Sequence, residues 1–198
     1  ATISAAITAA ETGHLVFGTL HTSGAASTIN RVIDAFPTDQ QEQVRVQLAG
    51  NLIAVLSQAL CPRIDTDGML AAYEFMYVTP GIQNLIRENK SFRIDSEIQT
   101  GKRFGMQLLD DNLWMHFTAG RISPEETIDK SKNPGYMVDK MQKNGFQVDV
   151  QDDALLAEAD ESAPGAAAAP AKPGAPTAAS AEAEKQAQVA ANRARRMA

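Results

Sequence analysis

Internal disulfides are excluded at once, because Cys61 is the only cysteine among 198 residues. A lone thiol also rules out a tetracysteine zinc site and suits a small core residue; a reducing compartment is allowed by it. Basic charge is scarce: 18 Lys and Arg face 24 Asp and Glu, and the net charge of −6 offers no general attraction to nucleic acid. Apolar runs stay far short of a membrane span, and the start lacks a signal peptide's charged and apolar regions. The phosphate-binding pattern G-x-x-x-x-G-K-[ST] is missing. Gly101-Lys102 comes nearest, but Arg103 stands where Ser or Thr is required and Ser96 where the first glycine belongs. A Gly-x-Ser-x-Gly nucleophile elbow is absent too, as is a magnesium-binding aspartate after an apolar strand ahead of the opening helix. The first residue is Ala1, inside a helical pattern, so an upstream portion is expected.

What is present is 44% hydrophobic, enough for one sizeable core. Ile3, Ile7 and Ala10 fall at helical spacing before Gly13, a suitable residue after a helix end. Leu15 to Leu20 then reads as a short buried parallel strand, flanked by His14 and His21. As a strand it would hold the two imidazoles about 23 Å apart on opposite faces, so they cannot share a metal ion. His21 and Thr22 would sit at its carboxyl end, where open parallel sheets bind ligands; a structural histidine is the commoner outcome for such a position. Ser23 is placed to cap a helix carrying Ile29, Val32, Ile33 and Phe36. Thr38 and Gln41 have capping-box spacing for a third, which the apolar residues Val44 through Ala59 extend to Pro62.

Asp67-Gly68 predicts a hairpin turn within Arg63 to Val78, leading into an alternating strand from Leu70. Tyr73, Phe75 and Tyr77 share one face of it, while Glu74 falls on the other with Ala72 and Met76. That carboxylate is either a paired structural group or a site residue, and pairing is the better expectation. Thr79-Pro80 opens a helix on which Ile82, Leu85 and Ile86 should dock and Arg87 should not. Phe92 to Tyr136 reads as purely helical, with Trp114 in the core and His116 on the surface; Ser123-Pro124 starts one of its helices. Beyond Asp152 the alanine- and proline-rich composition predicts disorder, with a marginal helix from Ala181 to Met197.

The stretch Ala9 to Thr22 closely resembles the histidine box of the bacterial type II/IV secretion ATPases, and within them that of the type IV pilus retraction ATPases. Thr28-Ile29-Asn30-Arg31-Val32-Ile33-Asp34-Ala35-Phe36-Pro37, Gly105-Met106-Gln107-Leu108-Leu109-Asp110 and Asn133-Pro134 are similar to retraction enzymes as well. Gly81 to Glu88 resembles their Ala-Ile-Arg-Asn-Leu-Ile-Arg-Glu signature, departing at Gly81 and Gln83. Asn84, Leu85, Ile86, Arg87 and Glu88 of that motif are thereby implied in retraction.

The resemblance implies an α/β fold: the C-terminal part of a RecA-like ATPase core over residues 1–103, a helical subdomain over 104–150 and a disordered tail over 151–198. It implies a hexameric motor using ATP and Mg2+, cytoplasmic and peripheral to the inner membrane through the pilus platform protein, with no nucleic-acid partner and no transmembrane segment. His21 and His14 would be catalytic and Thr22 nucleotide-binding. The phosphate loop, aspartate box and Walker B elements would lie upstream, leaving this chain alone inactive. A non-catalytic interaction module, or a related pilus-assembly or secretion ATPase, is the alternative.

Overall fold

A computed structural model describes residues 2–146. Helix α1 (Thr2–Glu11) lays Ile7 into the core and stops at Gly13, whose φ of 90° is a backbone state that residues with a side chain rarely adopt. Helices α2 (Ala25–Asp34) and α3 (Gln41–Asn51) follow, burying Ile29 and Ile33 from one and Val44, Leu48 and Ala49 from the other. Strands β1 (Ala54–Pro62) and β2 (Met69–Tyr77) form an antiparallel hairpin turned at Asp67-Gly68. Helix α4 (Pro80–Arg87) comes next, then α5 (Ile94–Thr100), bracketed by single 3-10 turns. The last helices are α6 (Leu109–Thr118), α7 (Pro124–Asp129) and α8 (Pro134–Lys143).

The hairpin organises two apolar clusters. Val55 and Met76 on its inner face join Ile29, Ile33, Leu48, Ile82, Ile86, Ile94 and Ile98. Farther along the same face, Cys61 and Ala72 join Leu113, Phe117, Ile122, Met137 and Met141. At strand period Glu74 falls between Met76 and Ala72 on β2, and Ser57, between Val55 and Ala59 on β1, stands directly opposite it. A buried polar pair therefore marks the seam between the clusters. The free edge of β2 is occupied by Gln107, which exchanges backbone hydrogen bonds with Phe75, and by Asn112, whose Oδ1 accepts from the Tyr73 amide at 3.0 Å. That local β-bridge breaks the expected run of pure helix between Phe92 and Tyr136.

Several expectations need correction. Gly13 to Thr22 forms no strand: Leu15 and Phe17 are 71% and 89% exposed, because no described strand lies alongside to satisfy the run's backbone groups. The third helix ends at Asn51, and the residues from Ala54 become β1, so the hairpin's first strand precedes Arg63. Leu52, Val55, Leu56 and Ala59 fit a helical stripe as well as a strand, and tertiary pairing with β2 decides. The Thr38–Gln41 box does not form; Gln41 Nε2 donates to the Phe36 carbonyl. Ser23 does not cap α2, where Gly24 holds the cap position. Leu85 and Trp114 are half-buried. His116 is buried, on the α6 face turned towards Arg121. The tail expectations lie outside the described residues.

Burial, with the Arg121 and Arg63 charges nearby, holds the His116 pKa below its ordinary value. The native state therefore favours neutral imidazole more than the unfolded chain does. Its stability contribution is present above about pH 6.5 and is lost as the pH falls through the ordinary and then the depressed value. Urea titrations at successive pH values should show the wild-type chain weakening over that window more steeply than His116→Gln. Parallel pH profiles would remove His116 as the cause.

Candidate functional site

The junction between the extended segment and α2 is the best-fixed part of the histidine-flanked region. Helix α2 receives no side-chain cap from its own sequence. Its first amide, Ala25 N–H, instead donates to Glu74 Oε1 at 2.7 Å, and the Gly24 N–H donates to Ser57 Oγ at 2.9 Å. Ser57 Oγ in turn donates to the Thr22 carbonyl at 3.3 Å. Thr28 Oγ1 donates to the Gly24 carbonyl at 2.7 Å and so accepts from the Thr22 hydroxyl, also at 2.7 Å. Gly24 has φ 104° and ψ 162°, and a Cβ there would lie 3.0 Å from Lys132 Nζ and 3.2 Å from Glu74 Oε1. Both conformation and space demand glycine.

Glu74 is 1% exposed and fully engaged. Besides Ala25 it accepts from Leu109 N–H at the start of α6, at 3.4 Å, and from Lys132 Nζ at 3.2 Å. Lys132 also reaches Asp95 Oδ2 at 2.9 Å. Burial opposes the lysine's charge, yet Glu74 and Asp95 together keep its pKa above the ordinary value. The expectation that Glu74 survives by pairing therefore holds.

The two histidines are treated differently. His14 Nδ1 lies 3.1 Å from Thr12 Oγ1 and 3.3 Å from the Ala9 carbonyl, which ties it to the end of α1. His21 is exposed, and its ring has no hydrogen-bond partner among the described residues. Its neighbour Thr22 is the anchored residue. An open hollow of about 440 Å³ beside Phe36 and Pro37 includes neither histidine. The described residues contain no group of three His, Cys, Asp or Glu side chains able to hold a metal ion.

On α4, Thr79 Oγ1 accepts from the Ile82 amide at 3.4 Å and Pro80 takes the first turn, as the sequence predicts. Ile82 and Ile86 are fully buried, whereas Asn84, Arg87 and Glu88 face outward. Arg87 Nη1 donates to Asn84 Oδ1 at 2.8 Å, and Glu88 pairs with Lys90 at 2.7 Å.

Residues 1–111 match the model of the type II/IV secretion system protein family. The chain belongs to this family. Among curated relatives, the type IV pilus retraction ATPase PilT of Pseudomonas aeruginosa is 51% identical over 133 residues, 67% of this chain and 38% of the relative. A twitching motility protein of Neisseria gonorrhoeae is 48% identical over 132 residues, covering 67% of this chain and 35% of the relative. The crystal structure of the pilus retraction motor PilT with bound ADP superposes with a TM-score of 0.62 at 41% identity, over 68% of this chain and 37% of that one. The chain thus spans little more than a third of the length of these relatives, and its mixed helix and sheet architecture matches the corresponding part of the pilus ATPase fold.

The sequence singles out Gly13 to Thr22 but does not single out Ser57, which bonds the Thr22 carbonyl, or Lys132, which pairs with Glu74. Ser57 was hidden because its segment also fits a helix, and Lys132 because nothing in its neighbourhood marks an ammonium paired to a buried carboxylate. Helix α4 divides physically into docking and displayed residues. Ile86→Ala should cost ~2–5 kcal/mol in a denaturant titration, as for other buried aliphatic truncations. Arg87→Ala should change stability by no more than about 1 kcal/mol, since its contact is exposed. Equal losses would make Arg87 a structural residue.

Proposed function

We propose that this chain is the C-terminal portion of a hexameric motor that couples ATP hydrolysis to retraction of a type IV pilus. The carrying observation is His21, exposed and without a hydrogen-bond partner among the described residues, on a segment whose next residue is pinned to the start of α2. Residues 1–103 then complete a RecA-like core, and the described residues from 104 to 146 form a helical subdomain. The motor works in the cytoplasm against the inner-membrane platform of the pilus, and each nucleotide site is finished by a neighbouring subunit.

Phosphate requires hydrogen-bond donors, and this end of the segment has them to give. The His21 imidazole and the Thr22 backbone amide lack partners among the described residues, while the Thr22 hydroxyl is committed to Thr28. A nucleoside triphosphate therefore fits donors at His21 and Thr22, and once bound it supplies the phosphoanhydride whose hydrolysis drives the motor. His21 would hold the γ-phosphate end by donating from a ring N–H, and Thr22 would pass its position to α2. His14 would support the box from α1. The described residues offer no ligand cluster for Mg2+, so no ligand of that ion is assigned to them. Asn84, Arg87 and Glu88 would face a neighbouring subunit or domain.

The retraction reading is preferred to an assembly or secretion ATPase because of the identity to PilT and to the gonococcal twitching protein. An interaction module without hydrolysis is the competing reading. A chimera discriminates them: this chain's matched residues replace those of the Pseudomonas relative. It should hydrolyse ATP and support twitching, whereas His21→Ala in it should lower turnover by more than about tenfold, the scale of one lost transition-state hydrogen bond. Arg87→Ala should keep hydrolysis and lose twitching. Full turnover by a folded His21→Ala chimera would refute the nucleotide role. The 198-residue chain alone should show no micromolar ATP binding by calorimetry.

A further inference from the structure

The His21–Thr22 end of the extended segment belongs to no helix or strand, so side chains from elsewhere must set its position. Ser57 and Glu74 meet that need. They are cross-strand partners on the inner face of the hairpin, both buried, and both contact the same four-residue turn. Ser57 takes the Thr22 carbonyl and the Gly24 amide; Glu74 takes the Ala25 amide. Two holds from the two ends of one rung of the ladder restrict translation and rotation of the turn together.

Glu74 is also held from the far side of the seam. Lys132, whose side chain is 24% exposed, lies between α7 and α8, and it bonds Glu74 and Asp95 through its ammonium. Its backbone amide donates to Asp110 Oδ1 at 2.8 Å, in the first turn of α6. Glu74 Oε2 itself takes the Leu109 amide there. A shift of α6 to α8 relative to the hairpin would draw Lys132 or Leu109 away and leave a buried carboxylate short of partners. Such imbalance is costly, so the carboxylate would move or the turn it holds would loosen.

We infer that Ser57, Glu74 and Lys132 are positioning residues for His21 and Thr22, and that Lys132 makes the placement of this segment depend on how the helices after β2 sit on the hairpin. The functional meaning rests on the nucleotide reading of His21; the mechanical coupling does not. By linkage, any ligand that engages the His21–Thr22 end more tightly in one placement alters the Lys132 contacts reciprocally. The raised pKa of Lys132 agrees with an ammonium held by both carboxylates.

Residue-resolved amide exchange by NMR on the full 198-residue chain tests this without nucleotide. Ser57→Ala should speed exchange at Gly24 by about fivefold, the scale of one net hydrogen bond, with α4 amides unchanged. Lys132→Gln should do the same at Ala25 and shift the His21 ring resonances but not those of His14. Ser57→Thr and Lys132→Arg should restore the wild-type pattern. If Lys132→Gln unfolds the chain, Asp95→Asn loosens the ammonium while leaving Glu74 intact and should produce the same local effect. Unchanged exchange at Gly24 and Ala25, or a rise matched by the α4 amides, would overturn the inference. A His21→Ala chimera with full turnover would end the nucleotide reading yet leave these exchange rates as predicted.

Discussion

One carboxylate governs how the parts of this chain meet. Glu74 projects from the middle of β2 into the seam between two apolar clusters and accepts from the first amides of α2 and α6. Neither helix has a side-chain cap of its own. A negative group at two helix N-termini satisfies orphan donors and opposes both dipoles at once, and the Lys132 ammonium balances what remains. Buried charge is tolerable only under such complete engagement. The positions of α2, α6 and the α7–α8 connection are therefore answers to a single electrostatic demand.

The legible parts of the sequence are those governed by local chemistry. Thr79-Pro80 and Ser123-Pro124 announce their helices because cap and first-turn proline act within four residues, and both hydroxyls accept the predicted amides. The period-two alternation of β2 places Ala72, Glu74 and Met76 inward as read. The α/β class and the family follow from the histidine-box stretch and the α4 signature, and the family match over residues 1–111 agrees.

Failures concentrate where the deciding partner is distant in sequence. Leu15 to Leu20 has the composition of an inner strand, but composition cannot supply the neighbour that a parallel strand requires. Residues 54–62 satisfy a helical stripe and a strand alike, and only pairing with residues 69–77 distinguishes them. Ser23 is a sound cap by local rules, yet Glu74, about fifty residues on, displaces it because a full charge at the first turn outcompetes a hydroxyl. His116 looked peripheral to the apolar stripe of α6, and the Arg121 contact that covers it follows a later turn.

Gly24 illustrates how constraint can imitate chemistry. Its backbone state and the ammonium and carboxylate crowding its missing side chain leave every other residue at a disadvantage, although nothing gives it a reactive group. A saturation scan read only through an activity would rank this position beside any residue that touches a ligand. Intolerance at the mouth of α2 is thus a measure of cramped geometry, and separating the two requires asking whether the variant chain still folds before asking whether it still works.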